Sequence, residues 1–320
     1  MSDRSPRLPP PIRATLADLP EAVAAALADP PAGRRATTEA LGIAFSSLAW
    51  GDRPDRPLVL VHGVTSDAET WWRVGPALAA SGRHVVAPDL PGHGLTHPWS
   101  GRWTFAETAT ELAAFIRAAG LERPDLEVVG HSWGAMVCAA LPIAGIRPRV
   151  LVLFDPPALP LSFFEAYAGD PLEQPFGDLR EAVRAVRPAG QDWADGDVHA
   201  KALGLTRFDV DAARRVVLGN GDWDAGLGAL SQQAAAGVPV RLVKGEERTG
   251  SMVPDAVMPR LAARFGAANV FTIRDGEHSA QRRHPEATLV ALLRALGDAP
   301  VDGRPARRRE TARRSATARS

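Results

Sequence analysis

Residues 126–141 read LEVVGHSWGAMVCAAL, and this stretch decides the fold. The short apolar run 126–130 is typical of a strand buried on both faces of a parallel sheet. It leads straight into Gly-His-Ser-Trp-Gly at 130–134, and a helical pattern follows over 133–144. A Gly-x-Ser-x-Gly sequence between a strand and a helix predicts a sharp turn with the serine at its tip. We expect Ser132 to be a nucleophile, because the start of the helix favours negative charge that develops there.

Similar apolar runs before and after this stretch predict the rest of the sheet. They alternate with helical patterns, which indicates an α/β fold with a doubly wound, mostly parallel sheet. The predicted strands are 58–62, 84–88, 126–130, 150–154, 238–243 and 270–273, and helices are predicted at 105–119, 179–186, 210–218, 257–265 and 285–296.

One long interval divides the predicted sheet. Between residues 154 and 238 there are helical patterns but no convincing strand, and an interval this long inside a domain usually carries its own structure. We predict a helical cap at 157–236, inserted between two late strands of a core formed by 37–156 and 237–297. Residues 1–36 are interpreted as a partly disordered lead-in. Residues 298–320 are rich in arginine with little to bury, so we predict a disordered basic tail.

The composition is typical of an ordinary soluble globular protein. The 320 residues contain 37 basic and 37 acidic side chains and a single cysteine. The balanced charge argues against nucleic-acid and membrane partners, and one cysteine excludes an internal disulfide. With no apolar run at the N-terminus or of membrane-spanning length, we expect a cytoplasmic protein that acts on a small-molecule substrate. No spacing matches a metal site or a dinucleotide-binding loop, so we expect no cofactor.

Three further blocks accompany the serine turn. Residues 59–64 read VLVHGV, residues 89–94 read DLPGHG, and residues 276–279 read GEHS. In this order, together with the serine turn, they resemble the α/β-hydrolase superfamily over most of residues 40–297. The resemblance implies a serine hydrolase, since members with dehalogenase or epoxide-hydrolase chemistry carry an aspartate in place of Ser132.

The resemblance also implies roles for three further residues. His278 follows the last predicted strand, as the chain order serine, acid, histidine requires, and it would be the general base. The other seven of the eight histidines lie elsewhere in the pattern. The backbone N–H groups of Val64 and Trp133 would form the oxyanion hole, with His62 and Gly63 shaping the first of these two loops.

The acid that should orient His278 is left open between three carboxylates. Family members commonly carry Gly-x-x-Asp after the strand at 238–243, but this spacing falls on Arg248. A shorter version of that loop registers on Glu246, which we place first. Asp155, which follows the preceding strand, comes second, and Glu247 comes third. An Asp-Pro pair is also a frequent turn former, so Asp155 has a purely structural explanation as well.

The sequence favours a hydrolase acting on an ester, lactone, thioester or carbon–carbon bond through an acyl-enzyme. Tryptophans around the motif loops and in the predicted cap suggest a small apolar substrate. The alternatives are an acyltransferase or lyase on the same fold, or a non-catalytic ligand-binding homologue.

Overall fold

One eight-stranded sheet forms the centre of this computed structural model, which describes residues 8–170, 173–223 and 237–298. The sheet order is β1-β2-β4-β3-β5-β6-β7-β8. The two contacts of β2 are antiparallel and all the others are parallel. The strands are β1 Arg34–Ala40, β2 Ile43–Trp50, β3 Arg56–Val61, β4 Arg83–Pro88, β5 Glu127–His131, β6 Val150–Phe154, β7 Val240–Lys244 and β8 Val270–Thr272. The predicted α/β class and mostly parallel sheet are confirmed.

Helices cover both faces of the sheet, so the inner strands β3 to β7 are buried on both sides. The helices outside the β6–β7 interval are α1 Glu21–Ala28, α2 Val74–Ala79, α3 Phe105–Ala118, α4 Trp133–Ala139, α9 Met258–Phe265, α10 Ala280–Arg283 and α11 Pro285–Leu296. Helices α1, α2 and α11 share one apolar core with the sheet, and α3, α4 and α9 share the other. None of the helices in the described ranges has the length and apolar character needed to cross a membrane.

Local sequence explains where the longer helices begin and end. Thr104 and Glu107 form a capping box that starts α3, each side chain accepting the other's backbone N–H. Pro285 opens α11, where its missing N–H costs nothing, and Gly297 follows the helix at a φ of 92°. A proline start and a left-handed glycine stop are the expected signals for those two ends.

The first 50 residues contain structure that the sequence prediction missed. Strands β1 and β2 pair as a hairpin, and β1 begins at Arg34, inside the predicted lead-in. Strand β1 lies at the sheet edge with mostly exposed side chains, so it lacks the apolar run used to find the other strands. Upstream of it, Val23 and Leu27 of α1 are buried in the core. The described part of the lead-in, residues 8–36, thus contains a helix and the start of a strand, while residues 1–7 and the predicted tail beyond residue 298 lie outside the described ranges.

The described parts of the interval between β6 and β7 contain helices joined by loops, and no strand. We call residues 156–239 the inserted segment, and its helices are α5 Leu161–Tyr167, α6 Leu179–Ala189, α7 Asp195–Thr206 and α8 Val210–Gly219. A small core of its own joins α6, α7 and α8. The segment also meets the sheet domain closely: Trp72 donates its indole N–H to Asp197 at 3.0 Å. Helical structure therefore occurs where the sequence predicted a cap.

Candidate active site

Ser132 occupies the sharp turn between β5 and α4. Its backbone has φ 56° and ψ −125°, a strained conformation for a residue with a side chain. The two flanking glycines are required by close packing. A Cβ on Gly130 would lie 2.3 Å from the Gly134 carbonyl oxygen, and one on Gly134 would lie 2.4 Å from the His62 carbonyl oxygen. The sequence therefore permits the turn because glycine stands at both positions.

Ser132, His278 and Asp155 form one hydrogen-bonded row. The hydroxyl oxygen of Ser132 lies 2.9 Å from Nε2 of His278, and Nδ1 of His278 lies 2.6 Å from Oδ2 of Asp155. A carboxylate only accepts hydrogen bonds, so Nδ1 of His278 carries the proton that Asp155 accepts. The Nε2 atom of the neutral ring is then free to accept the hydroxyl proton of Ser132. This is the arrangement that a serine nucleophile with a general base requires.

Asp155 is fully buried and saturated with hydrogen-bond donors. Its Oδ1 atom accepts from the Gly245 N–H at 3.0 Å and from the Ser251 hydroxyl at 2.5 Å, and its Oδ2 atom also accepts from the Met252 N–H at 2.9 Å. Burial acts to raise the pKa of Asp155, but the hydrogen bond and charge of His278 together with the Ser251 and Met252 donors outweigh it. The net result is a lowered pKa, so the carboxylate stays ionised beside the histidine.

Glu246, the first choice for the acid, does not contact His278. The prediction that it orients the histidine is therefore wrong. Its carboxylate forms ion pairs with Arg248 and, at 3.4 Å, with Arg274, and it accepts the Asp275 N–H at 3.0 Å. Glu247, the third choice, instead accepts the Asp255 N–H. The second choice, Asp155, is the carboxylate that the fold brings to the histidine.

The two predicted oxyanion donors, Val64 and Trp133, lie in the loop after β3 and at the start of α4. Neither the Val64 N–H nor the Trp133 N–H donates to another residue of the described chain, so both remain available to a substrate. His62 holds this loop in shape, as predicted. The Leu90 N–H donates to its Nε2 at 3.0 Å, which leaves Nδ1–H to donate to the Gly63 carbonyl at 2.8 Å. Gly63 passes close to the serine, since a Cβ there would lie 3.0 Å from the Ser132 Cβ.

His131 supports the backbone of the histidine loop, which is a role that the sequence analysis did not assign. Its Nε2 lies 2.8 Å from the His278 carbonyl oxygen, and because a carbonyl only accepts, His131 is the donor. Burial and the neighbouring charge of His278 lower the pKa of His131 to about 3. The ring therefore stays neutral and contributes a fixed hydrogen bond behind His278.

Backbone strain is concentrated at this site. Five non-glycine residues of the described chain have a positive φ, and three of them are Thr65, Ser132 and Asp155. Thr65 directly follows Val64 in the loop after β3, Ser132 forms the serine turn, and Asp155 contacts His278. Each such conformation costs about 1–3 kcal/mol and persists only where the surroundings hold it, and such residues cluster at functional sites.

A cavity of about 340 Å³ opens beside His278, between the inserted segment and the loops that follow β7 and β8. Its lining combines apolar side chains, including Val186 and Ala189, with charged ones. Trp71, Trp133 and Trp223 are buried in packing contacts, whereas Trp193 is the tryptophan that lines the cavity. The cavity wall also carries the charged side chains of Glu173, Lys201, Glu277 and Arg282. The wall therefore offers both apolar and charged contacts to a ligand.

Two of these charged residues stabilise the oxyanion loop. Lys201 donates to Glu173 at 2.7 Å and to the Thr65 hydroxyl at 3.1 Å, and Thr65 also donates to Glu173. Because Thr65 directly follows Val64, this network fixes the backbone that would bind an oxyanion. Among the described residues, no group of three or more His, Cys, Asp or Glu side chains is arranged to hold a metal ion.

Comparison with known proteins identifies relatives of this chain. Its first curated match is a dihydrolipoyllysine-residue acetyltransferase component of an acetoin cleaving system from Pseudomonas putida, 37% identical over 105 residues. That match covers 32% of this chain and only 27% of the relative. A pimeloyl-[acyl-carrier protein] methyl ester esterase from Aeromonas hydrophila is 26% identical over 281 residues, covering 78% of this chain and 97% of the relative.

Solved structures and a family model agree on the fold. The crystal structure of the esterase RhEst1 from Rhodococcus sp. ECU1013 superposes with a TM-score of 0.63 at 18% identity, covering 83% of this chain and 98% of that one. The model of the Alpha/beta hydrolase family matches residues 58–292. The predicted resemblance is therefore confirmed, and the relatives include hydrolases. This chain belongs to the alpha/beta hydrolase family.

Proposed function

We propose that this protein is a serine hydrolase that cleaves an ester-like bond through an acyl-enzyme formed on Ser132. The hydrogen-bonded row of Ser132, His278 and Asp155 carries this proposal, since it joins a nucleophile, a base and a buried acid at hydrogen-bond distances. The relative named as a methyl ester esterase, which covers 78% of this chain, supports an ester as the substrate.

The first half of the reaction forms the acyl-enzyme. The hydroxyl oxygen of Ser132 attacks the carbonyl carbon while Nε2 of His278 takes its proton. The carbonyl oxygen becomes negative and accepts the N–H groups of Val64 and Trp133. Each such donor contributes about 3–4 kcal/mol to the stabilisation of the transition state in enzymes of this kind. The bond to the leaving group then breaks, and the leaving oxygen takes the proton from Nε2.

The second half releases the acid. A water molecule attacks the acyl carbon, His278 takes one of its protons, and the same two N–H groups bind the second oxyanion. The bond to Ser132 breaks, the serine oxygen recovers the proton from His278, and the carboxylic acid leaves. Asp155 stays ionised throughout, because it accepts hydrogen bonds from His278 and three other donors that favour its charged form.

Covalent labelling tests the proposed nucleophile without knowledge of the substrate. A fluorophosphonate probe is expected to add its mass to the peptide that contains Ser132, because the phosphorus centre mimics the carbonyl carbon under attack. The Ser132→Ala variant should remain unlabelled. Cys138, six residues further on in α4, is buried, so Cys138→Ala is a control that should label normally. Labelling that survives in Ser132→Ala would refute the assignment.

A further inference from the structure

Arg282 is a buried cation in the wall of the cavity beside His278. Arg282 is 8% exposed and belongs to α10, which begins two residues after His278. Its guanidinium carbon lies over the indole ring of Trp193, 4.7 Å from the ring centroid. A cation–π contact of this kind uses none of the N–H donors of the guanidinium, which remain available for hydrogen bonding.

The carboxylates that line the cavity are held by other partners. Glu173 binds Lys201 at 2.7 Å. Glu277 accepts the Trp193 indole N–H at 3.2 Å and lies 3.6 Å from Nε of Arg283. Each acidic group of the cavity wall therefore already has a close donor that is not Arg282.

The third carboxylate near Arg282 is also engaged. Asp197 lies 2.5 Å from the guanidinium of Arg73 and accepts the Trp72 indole N–H. Asp197, Glu173 and Glu277 influence Arg282 only through space, and among the described residues none forms a hydrogen bond or ion pair with its guanidinium. Burial lowers the pKa of Arg282, and the charges of the nearby carboxylates offset this only in part.

We infer that Arg282 binds a carboxylate of the substrate, so that the protein prefers small ester-like molecules that carry a second, free acid group. Arginine is suited to this role because its N–H edge matches a carboxylate with two parallel hydrogen bonds. A singly charged group fits better than a phosphate dianion, because Glu173 and Glu277 line the same cavity. A volume of about 340 Å³ suits a small molecule. The ester preference in this inference rests on the proposed function, whereas binding of a carboxylate by Arg282 does not.

Binding can be measured without any reaction. Isothermal titration calorimetry of the Ser132→Ala protein with acetate, butyrate, succinate and glutarate should detect binding of at least one carboxylate. The corresponding neutral amides should bind more weakly, by about tenfold or more, since they lack the charge that Arg282 would meet. In Ser132→Ala/Arg282→Gln this preference should disappear. If no carboxylate binds more tightly than its amide, the inference is wrong, whatever the protein catalyses.

Catalysis supplies the second test, with ester pairs that differ only in the free acid. One pair is p-nitrophenyl hydrogen glutarate against p-nitrophenyl pentanoate, with the acid on the acyl side. The other is 4-acetoxybenzoate against its methyl ester, with the acid on the alcohol side. For at least one pair we expect wild type to have the higher kcat/KM on the acidic member. Arg282→Gln should lower that value by about 50-fold while changing the neutral member less than about threefold.

Matched variants separate a specific contact from general electrostatics. Arg187 also lies in the inserted segment, where it pairs with Asp195 on the surface. Arg187→Gln removes one positive charge without touching the cavity wall, so its acidic preference should equal that of wild type. Arg282→Lys should keep part of the preference. Equal losses on both members of each pair, or equal effects of Arg187→Gln and Arg282→Gln, would overturn the inference. Neutral esters hydrolysed with no acidic preference would leave the proposed function intact and remove only this inference.

Discussion

The loops at the carboxyl ends of the neighbouring parallel strands β6 and β7 each carry a carboxylate, but only one of the two contacts His278. Asp155 follows β6 directly, is completely buried and contacts His278. Glu246 comes two residues after β7, and its partners are Arg248, Arg274 and the Asp275 backbone. By position in the chain the two are nearly equivalent, so position alone does not identify the acid.

The difference lies in what each loop supplies to the other. The loop after β7 donates the Gly245 N–H, the Ser251 hydroxyl and the Met252 N–H to Asp155. Because that loop provides donors instead of an acceptor, it forms the binding site for the acid of the neighbouring loop. Glu246, in the same loop, points away from His278 and forms ion pairs with Arg248 and Arg274.

The largest expected contrast is in turnover. Asp155→Asn should lower kcat by about 10³–10⁴-fold, because an amide in this place favours the wrong histidine tautomer and cannot stabilise the protonated ring. Glu246→Gln removes only outward ion pairs and should stay within about twofold of wild type. Both variants are measured by steady-state kinetics on an ester that wild type hydrolyses. A tenfold or greater loss in Glu246→Gln would break the comparison.

A smaller effect is expected from the loop that holds Asp155. Ser251→Ala removes one donor to an ionised carboxylate and should lower kcat/KM by about tenfold, or ~1.4 kcal/mol. The titration profile of the Asp155 carboxyl, followed by NMR, should move to higher pH, since loss of the donor raises the pKa of Asp155 relative to wild type. Glu247→Gln, in the same loop, is the matched control and should change neither value. An unshifted profile in Ser251→Ala would contradict the role given to this hydroxyl.

The lowered pKa of Asp155 also has a consequence for stability in acid. A carboxyl whose pKa is lower in the folded than in the unfolded protein stabilises the fold above the unfolded value of about 4, and this contribution is lost as the pH falls through the folded value. The unfolding free energy of wild type relative to Asp155→Asn should therefore be constant above about pH 5 and decrease below pH 4 by up to ~1.4 kcal/mol per pH unit. Chemical denaturation at several pH values measures it; a decrease centred near neutral pH would be inconsistent with this pKa.

The smallest effect concerns the outward carboxylate. Glu246→Gln breaks ion pairs at a loop surface where Arg248 is 59% exposed, and such pairs contribute about 0–1 kcal/mol. We expect a small loss of unfolding free energy that shrinks when salt is added, because salt screens exposed charges. The matched variant Arg248→Gln should behave in the same way. A loss above about 2 kcal/mol would show that Glu246 has a structural role beyond these pairs.

The parts of the molecule that local sequence specifies were predictable. Six parallel strands are apolar over consecutive residues because both faces are buried, and Ser132 is marked by glycines that its turn requires. Strand β1 was missed because an edge strand with exposed side chains has no such pattern. The position of His278 follows from a loop sequence after the last strand, so it too was accessible.

The acid and the cavity were not predictable, because both depend on which loops meet in space. The choice of Asp155 over Glu246 is set by donors some 90 to 100 residues away in the chain, with separations of 90, 96 and 97 for Gly245, Ser251 and Met252. The isolation of Arg282 likewise depends on Arg73 and Lys201 occupying the carboxylates around it. No spacing rule in the sequence encodes those pairings.

The rate at which a fluorophosphonate labels Ser132 in wild type, Asp155→Asn and Glu246→Gln tests the central claim most directly, since it needs no knowledge of the natural substrate. If Asp155 orients His278, labelling of Asp155→Asn should slow by about 10³-fold or more, while Glu246→Gln should react within about twofold of wild type. Equal rates in wild type and Asp155→Asn, or a large loss in Glu246→Gln alone, would contradict the assignment.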